Sequence, residues 1–197
     1  FCDWGAKISG LFSHEGDYEY FVKNVEKAGG VTVINHPGHY LNCKSMPENA
    51  TDINQLFYFA DIFNTSKTCL GMEIINNTDR VTREDRVLWD ELLQVVLPGG
   101  RNIWAFADDD SEALGDMGRS FELFPLSANT EENVKNAMIN GAFFAASKYQ
   151  KNTARKNEIE GDGLVPLVTN IKIDGNKITV ECDKKRGCDT IEWVADG

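Results

Sequence analysis

Residues 29–39 read Gly29-Gly30-Val31-Thr32-Val33-Ile34-Asn35-His36-Pro37-Gly38-His39. Val31 to Ile34 is a short β-branched, apolar run, the pattern of a buried strand. Gly29 and Gly30 end whatever precedes it, and Pro37 ends the strand itself. Two of the chain's three histidines, His36 and His39, follow at once. A parallel strand that delivers imidazoles at its C-terminal edge is a common way for an α/β protein to build a site. Two such histidines can equally do no more than cap a turn. What favours a site is that two further strands end in compatible chemistry.

The first of these is Cys69 to Asn77, a second buried strand with Glu73 inside an otherwise apolar run. A carboxylate there is costly unless it is paired in a salt bridge or bound to a metal. The other is Asn102 to Ala107, a third strand that runs into Asp108-Asp109-Asp110-Ser111-Glu112. Four carboxylates in five residues repel one another unless a cation or a basic partner is present. Read as a solvated loop the run is unremarkable; directly after a buried strand it points to ligands.

Helices are expected between the strands. Asp17 caps one over Tyr18–Ala28, with Phe21, Val22, Val25 and Ala28 inward and Gly29 past its end. Thr51 caps one over Asp52–Ile62, with Ile53, Leu56, Phe57 and Ala60 inward. Thr82 to Asp85 matches a capping box with Asp in the acidic position, opening a helix to Leu97 with Leu88, Leu92, Val95 and Val96 inward. Further strands are expected at Ala6–Phe12, Glu122–Leu126 and Ala142–Ser147, with a helix from Asn129 or Thr130 to Asn140. His14, next to Glu15, follows the first of those strands. Arg119 precedes the second as either a surface cation or an anion clamp.

Strand–helix alternation through residue 147 indicates a parallel α/β sheet or barrel over residues 1–150. Residues 151–163 read as a polar linker, and 164–197 as a small antiparallel β unit. In that unit Val168–Ile173 and Lys177–Cys182 flank an Asp174-Gly175-Asn176 turn, and Thr190–Val194 forms a third strand.

The chain has 197 residues, 42% of them apolar, enough for one cored domain with a small appendage. A net charge of −11 argues against a general nucleic-acid binder, which needs a basic face. No run approaches a membrane span, and no signal-peptide pattern is visible. Five cysteines in no dense framework suit reduced thiols and a cytoplasmic setting. Cys182 and Cys188, flanking a turn, can face each other as a disulfide pair.

Three segments in order carry a resemblance: Gly-Gly-Val-Thr-Val-Ile-Asn-His-Pro; Gly-Met-Glu-Ile-Ile-Asn; and Trp-Asp-Glu-Leu-Leu followed by Ile-Trp-Ala-Phe-Ala-Asp-Asp-Asp-Ser-Glu. Together they resemble the PHP (polymerase and histidinol phosphatase) family of metal-dependent phosphoesterases, over about residues 27 to 147. The resemblance implies a partial or divergent PHP-type distorted β/α barrel with divalent metals at the strand C-termini.

By it, His36 matches the family's His-Pro ligand and Asp110 the Asp of a late Asp-x-His pair. Glu112 stands where that pair's histidine would be, as ligand or base. His14 and Asp108 complete the expected metal set, while Glu73 matches a rim glutamate and lines the substrate with Arg119. His39 is the expected proton donor to the leaving group. The expected cofactor is a divalent metal, Mn²⁺, Mg²⁺, Zn²⁺ or Fe²⁺, and Glu112 in place of His hardens the site toward Mg²⁺ or Mn²⁺ over Zn²⁺. The family's opening His-x-His strand has no match, so a fragment or a reduced member is expected, with about three barrel strands missing by the same comparison. The implied function is hydrolysis of a small phosphorylated substrate; the alternative is an inactive binding or scaffold domain of the same fold.

Overall fold

The computed structural model describes residues 18–77, 82–151, 159–160, 164–186, 188 and 190–194. The strand expected at Ala6–Phe12, the Asp17 cap and His14 lie outside the described residues.

Three parallel strands form the centre: β1 (Thr32–Ile34), β2 (Cys69–Asn76) and β3 (Trp104–Asp108), in spatial order β1-β2-β3. Both pairings are parallel, so all three C-terminal ends share one rim. The connections are helical. Helix α1 (Tyr18–Lys27) leads into β1 and ends on Gly29 at φ +79°, whose left-handed conformation lets Gly30 N–H close back on Val25 O at 3.0 Å. A short helix α2 (Pro37–Tyr40) follows β1 directly, with Pro37 at its first position. Helices α3 (Ile53–Thr65) and α4 (Arg83–Val96) connect the strands, and both contact β2 and each other.

The core lies between these helices and the sheet. Phe59, Ile62 and Phe63 of α3 meet Met72 of β2 and Leu88, Leu92 and Val96 of α4, all essentially inaccessible to solvent. Each such side chain contributes roughly 1.5–3 kcal/mol on burial. The inward face of α3 differs from the sequence expectation: Leu56 and Ala60 are buried, but Ile53 and Phe57 are exposed, and Phe59, Ile62 and Phe63 take their places. The cap also moves. Asp52 accepts N–H bonds from Asn54 at 2.9 Å and Gln55 at 3.2 Å, while Thr51 belongs to a preceding 3-10 turn.

At the N-terminal end of the sheet, Arg101 fastens the layers together. Its guanidinium donates to Phe63 O at 2.8 Å and to Cys69 O, joining the end of α3 to the start of β2. Gly71 permits the closest approach of β2 and β3: a Cβ there would stand 1.9 Å from Trp104 O.

The later strands depart from the expected parallel series. β4 (Ser120–Leu123) and β5 (Phe144–Ser147) pair antiparallel with each other and lie against β3, with helix α5 (Glu131–Asn140) between them in sequence. Among the described residues the protein is therefore a mixed α/β structure with an open sheet, and its strands close no barrel. The stretch read as a linker holds a two-residue antiparallel ladder, β6 (Gln150–Lys151) with β7 (Ile159–Glu160).

The C-terminal hairpin forms as read: β8 (Val168–Asp174) and β9 (Lys177–Cys182) join through Gly175-Asn176, with Gly175 at φ +58°. Residues 191–194 are not strand, so the third strand expected at Thr190–Val194 is absent from the described residues. Among the described residues no helix is long and apolar enough to cross a membrane.

Candidate functional site

Each parallel strand ends in a polar residue with a left-handed backbone: His36 at φ 28° after β1, Asn77 at φ 55° after β2, and Asp110 at φ 47° after β3. Asn and Asp tolerate this region; for His36 it costs roughly 1–3 kcal/mol. His36 stands between the end of β1 and the Pro37-initiated helix α2.

There the ring meets Glu73. His36 Nδ1 lies 2.7 Å from Glu73 Oε2, and the Glu73 side chain is wholly buried. The carboxylate can only accept, so Nδ1 carries the proton and Nε2 is the nitrogen left for other work. The Asn76 amide nitrogen stands 3.4 Å from the same Nδ1. Tyr40 stacks on the imidazole, ring centroids 5.8 Å apart. Burial lowers the His36 pKa, but the hydrogen bond and charge of Glu73, with Asp110 and Asp85 beyond, outweigh it and raise the pKa overall.

The second Glu73 oxygen, Oε1, is buried without a hydrogen-bond partner. The Asp108 carboxyl at the end of β3 is close enough to Glu73 to feel its charge: the Asp108 pKa is raised first by burial and then by Glu73. Two carboxylates so placed cannot both ionise freely; a shared proton or a cation relieves them. Asp108 Oδ1 also accepts the Asp110 N–H at 2.9 Å.

Behind His36 stands a carboxylate that the sequence reading missed. Asp85, wholly buried in the first turn of α4, accepts the Gly38 N–H at 2.6 Å through Oδ1, while its Oδ2 has no partner. Burial pushes its pKa up to about 7, against the Gly38 bond and the His36 charge. The expected reciprocal capping box is not formed: Thr82 Oγ1 instead accepts from Asn76 N at 3.1 Å, tying α4 to the end of β2. The buried Tyr18 hydroxyl, within electrostatic reach of Asp85 and Glu73, is likewise without a hydrogen-bond partner. Three of the four buried, unpaired side-chain polar atoms among the described residues thus belong to groups around His36.

The run Asp108 to Glu112 separates into distinct roles. Asp109 accepts backbone N–H bonds from Arg119 at 2.6 Å, Ser120 at 2.7 Å and Gly118, holding the β3–β4 loop. Asp110 is exposed, with its charge felt at His36. Glu112 is exposed. Arg119 donates through Nη1 to Asn77 Oδ1 at 2.9 Å and pairs through Nη2 with Asp116 at 3.1 Å, so its guanidinium ties the end of β2 to the loop after β3. Glu122, which the sequence did not single out, accepts the Ala107 N–H at 2.9 Å, and burial raises its pKa. His39 is exposed, its ring 6.0 Å from that of His36 and edge-on to it.

The structure thus brings His36, Glu73 and Asp108 together, with Asp110 and His39 at the margin. His/carboxylate chemistry suits a divalent cation, and the unpaired Glu73 oxygen is the kind of atom one would satisfy. The number falls short: among the described residues no group of three or more His, Cys, Asp or Glu side chains converges as metal ligands do. No family model matches the chain, and no curated protein or solved structure matches it.

Proposed function

We propose that the rim of β1–β3 is one wall of a divalent-metal-dependent phosphoesterase site of the PHP type, acting on a small phosphorylated substrate. The observation that carries this reading is Glu73: a wholly buried carboxylate with one oxygen on His36 and the other unpaired, its charge felt at Asp108. A buried acid in that state is costly for the fold alone and is the expected cost of a site. In this reading the edge of β1, unpaired among the described residues, takes the further strands of a PHP-type barrel.

His36, Asp108 and Asp110 are the described residues that would hold the metal. When bound, the metal supplies charge stabilisation at the phosphoryl oxygens and an activated water. Glu73 fixes His36 with Nε2 free, and it is a positioning residue in this scheme. His39, exposed beside His36, donates the proton to the leaving oxygen. Arg119 is steadied by Asn77 and Asp116 and turns its remaining donor capacity to the phosphate. Glu112 is left out of this set because, unlike Asp110, its charge is not among those felt at His36.

A second reading, a non-catalytic binding domain of the same fold, is favoured by the shortage of converging ligands and by exposed Glu112. Turnover of an aryl phosphate with added Mn²⁺ separates the two, repeated with His36→Ala and Asp110→Ala. Activity that falls in both variants supports the first reading. Activity equal in all three proteins refutes the assigned roles, and no turnover with any divalent ion supports the second reading.

A further inference from the structure

The C-terminal hairpin carries two thiols that the strand-end rim does not use. Cys182 is the last residue of β9, opposite Val168 at the start of β8. The chain then turns back on itself: Asp183 Oδ1 accepts the backbone N–H groups of Lys185 at 2.8 Å and Arg186 at 3.0 Å. The turn is also fastened to the entrance of β8. Asp183 N donates to Leu167 O at 2.8 Å, and Leu167 N donates to Arg186 O at 3.1 Å. These bonds hold the excursion that begins at Cys182, and Cys188 returns to meet it, with the two sulfur atoms 2.7 Å apart. Both thiols are partly accessible, whereas Cys43 and Cys69 are wholly buried on other elements.

We infer that Cys182 and Cys188 are a redox-responsive pair that forms an intrachain disulfide across this turn. The folded chain has already placed the sulfurs together, so little further ordering opposes the bond. The oxidant is a small-molecule disulfide of the glutathione type. One cysteine thiolate attacks a glutathione sulfur and expels one glutathione thiolate, leaving a mixed disulfide. The second cysteine thiolate attacks the protein sulfur of that bond and expels the other glutathione thiolate. The two cysteines lose two electrons between them, the glutathione disulfide gains them, and the two thiol protons end on the released glutathione thiols. The product staples the end of a two-stranded hairpin, an element that is marginal without such support.

The test uses the full chain, equilibrated in glutathione buffers from fully reduced to fully oxidised, alkylated and then digested with trypsin without reduction. Lys184, Lys185 and Arg186 lie between the two cysteines, so trypsin cuts the backbone there. The two flanking peptides travel together only if their sulfurs are bonded. The expected result is a linked peptide pair that grows with the oxidised fraction, separates on reduction and is missing from Cys182→Ser and Cys188→Ser. Cys43 and Cys69 serve as internal controls and react with the alkylating agent only after unfolding. Alkylation of both Cys182 and Cys188 in the fully oxidised buffer overturns the inference, as does preferential linkage of either to another cysteine. The wild-type digest alone decides this, whether or not the serine variants fold.

Discussion

His36, just past the end of β1, and Glu73, 37 residues on in the neighbouring strand β2, meet through their side chains at 2.7 Å. This contact sets the imidazole tautomer, raises the His36 pKa and leaves the second Glu73 oxygen without a hydrogen-bond partner. Replacing Glu73 by Gln keeps an acceptor for Nδ1 and gives Asp108 a donor, so the fold should survive. Without the carboxylate, burial is opposed only by the weaker charges of Asp110 and Asp85, so the His36 pKa should fall; the Asp108 pKa should fall too. Proton NMR titration of the His36 ring reads the first effect directly. A His36 pKa unchanged or higher in Glu73→Gln would contradict this account of the pair.

Asp85 should make the protein less stable as pH rises. Its folded-state pKa of about 7 lies above the ordinary aspartate value of 3.8, so the folded protein holds a proton that the unfolded chain releases. Stability is therefore fullest below the unfolded pKa and is lost as pH climbs to about 7. The loss attributable to this residue is on the order of a few kcal/mol. In metal-free buffer, urea denaturation across that range should show a clear fall for the wild type and a flatter profile for Asp85→Asn. Parallel profiles would show that Asp85 is not the titrating group.

The Asp109 carboxylate gathers three successive backbone N–H groups, those of Gly118, Arg119 and Ser120. Charge-assisted bonds of this kind contribute about 1.5–3 kcal/mol each, and they are not additive. Asp109→Ala should destabilise the protein by about 2–4 kcal/mol and speed amide exchange at residues 118–120. Exchange there at the wild-type rate would remove Asp109 from this structural role.

Gly71 and Gly99 make a matched pair. A Cβ on Gly71 would enter the Trp104 backbone, while one on Gly99 meets nothing within 4 Å. Gly71→Ala must push β2 and β3 apart and should cost about 3 kcal/mol or more. Gly99→Ala should stay within about 0.5 kcal/mol of wild type. Chemical denaturation midpoints of the two variants check this, and equal midpoints would contradict the close approach of the strands.

Much of the central sheet is legible in the sequence because β-branched and apolar runs are bracketed by Gly, Pro and Asp. β1, β2 and β3 fall within about two residues of their expected limits on that basis. The Gly175-Asn176 turn is equally plain. The inward face of α3 is not, because Ile53-Asn-Gln-Leu-Phe-Tyr-Phe-Ala-Asp-Ile-Phe63 is apolar nearly all round and has no clear period. Asp85 reads locally as a cap, yet its partner Gly38 is 47 residues away, a pairing that no local pattern announces. The carboxylates of residues 108–112 look alike in the sequence. Their offsets from the strand end sort them: Asp108 inside, Asp109 turned into a loop, Asp110 and Glu112 in solvent.

The central claim is that His36, held by Glu73, and Asp108 form a divalent-cation site at the strand ends. Calorimetric titration of the full chain with Mn²⁺ tests it most directly. The expected result is saturable binding that weakens at least tenfold in both His36→Ala and Asp108→Asn and is unchanged in Glu112→Ala. Wild-type affinity in both of the first two variants, or no binding by the wild type, would contradict it.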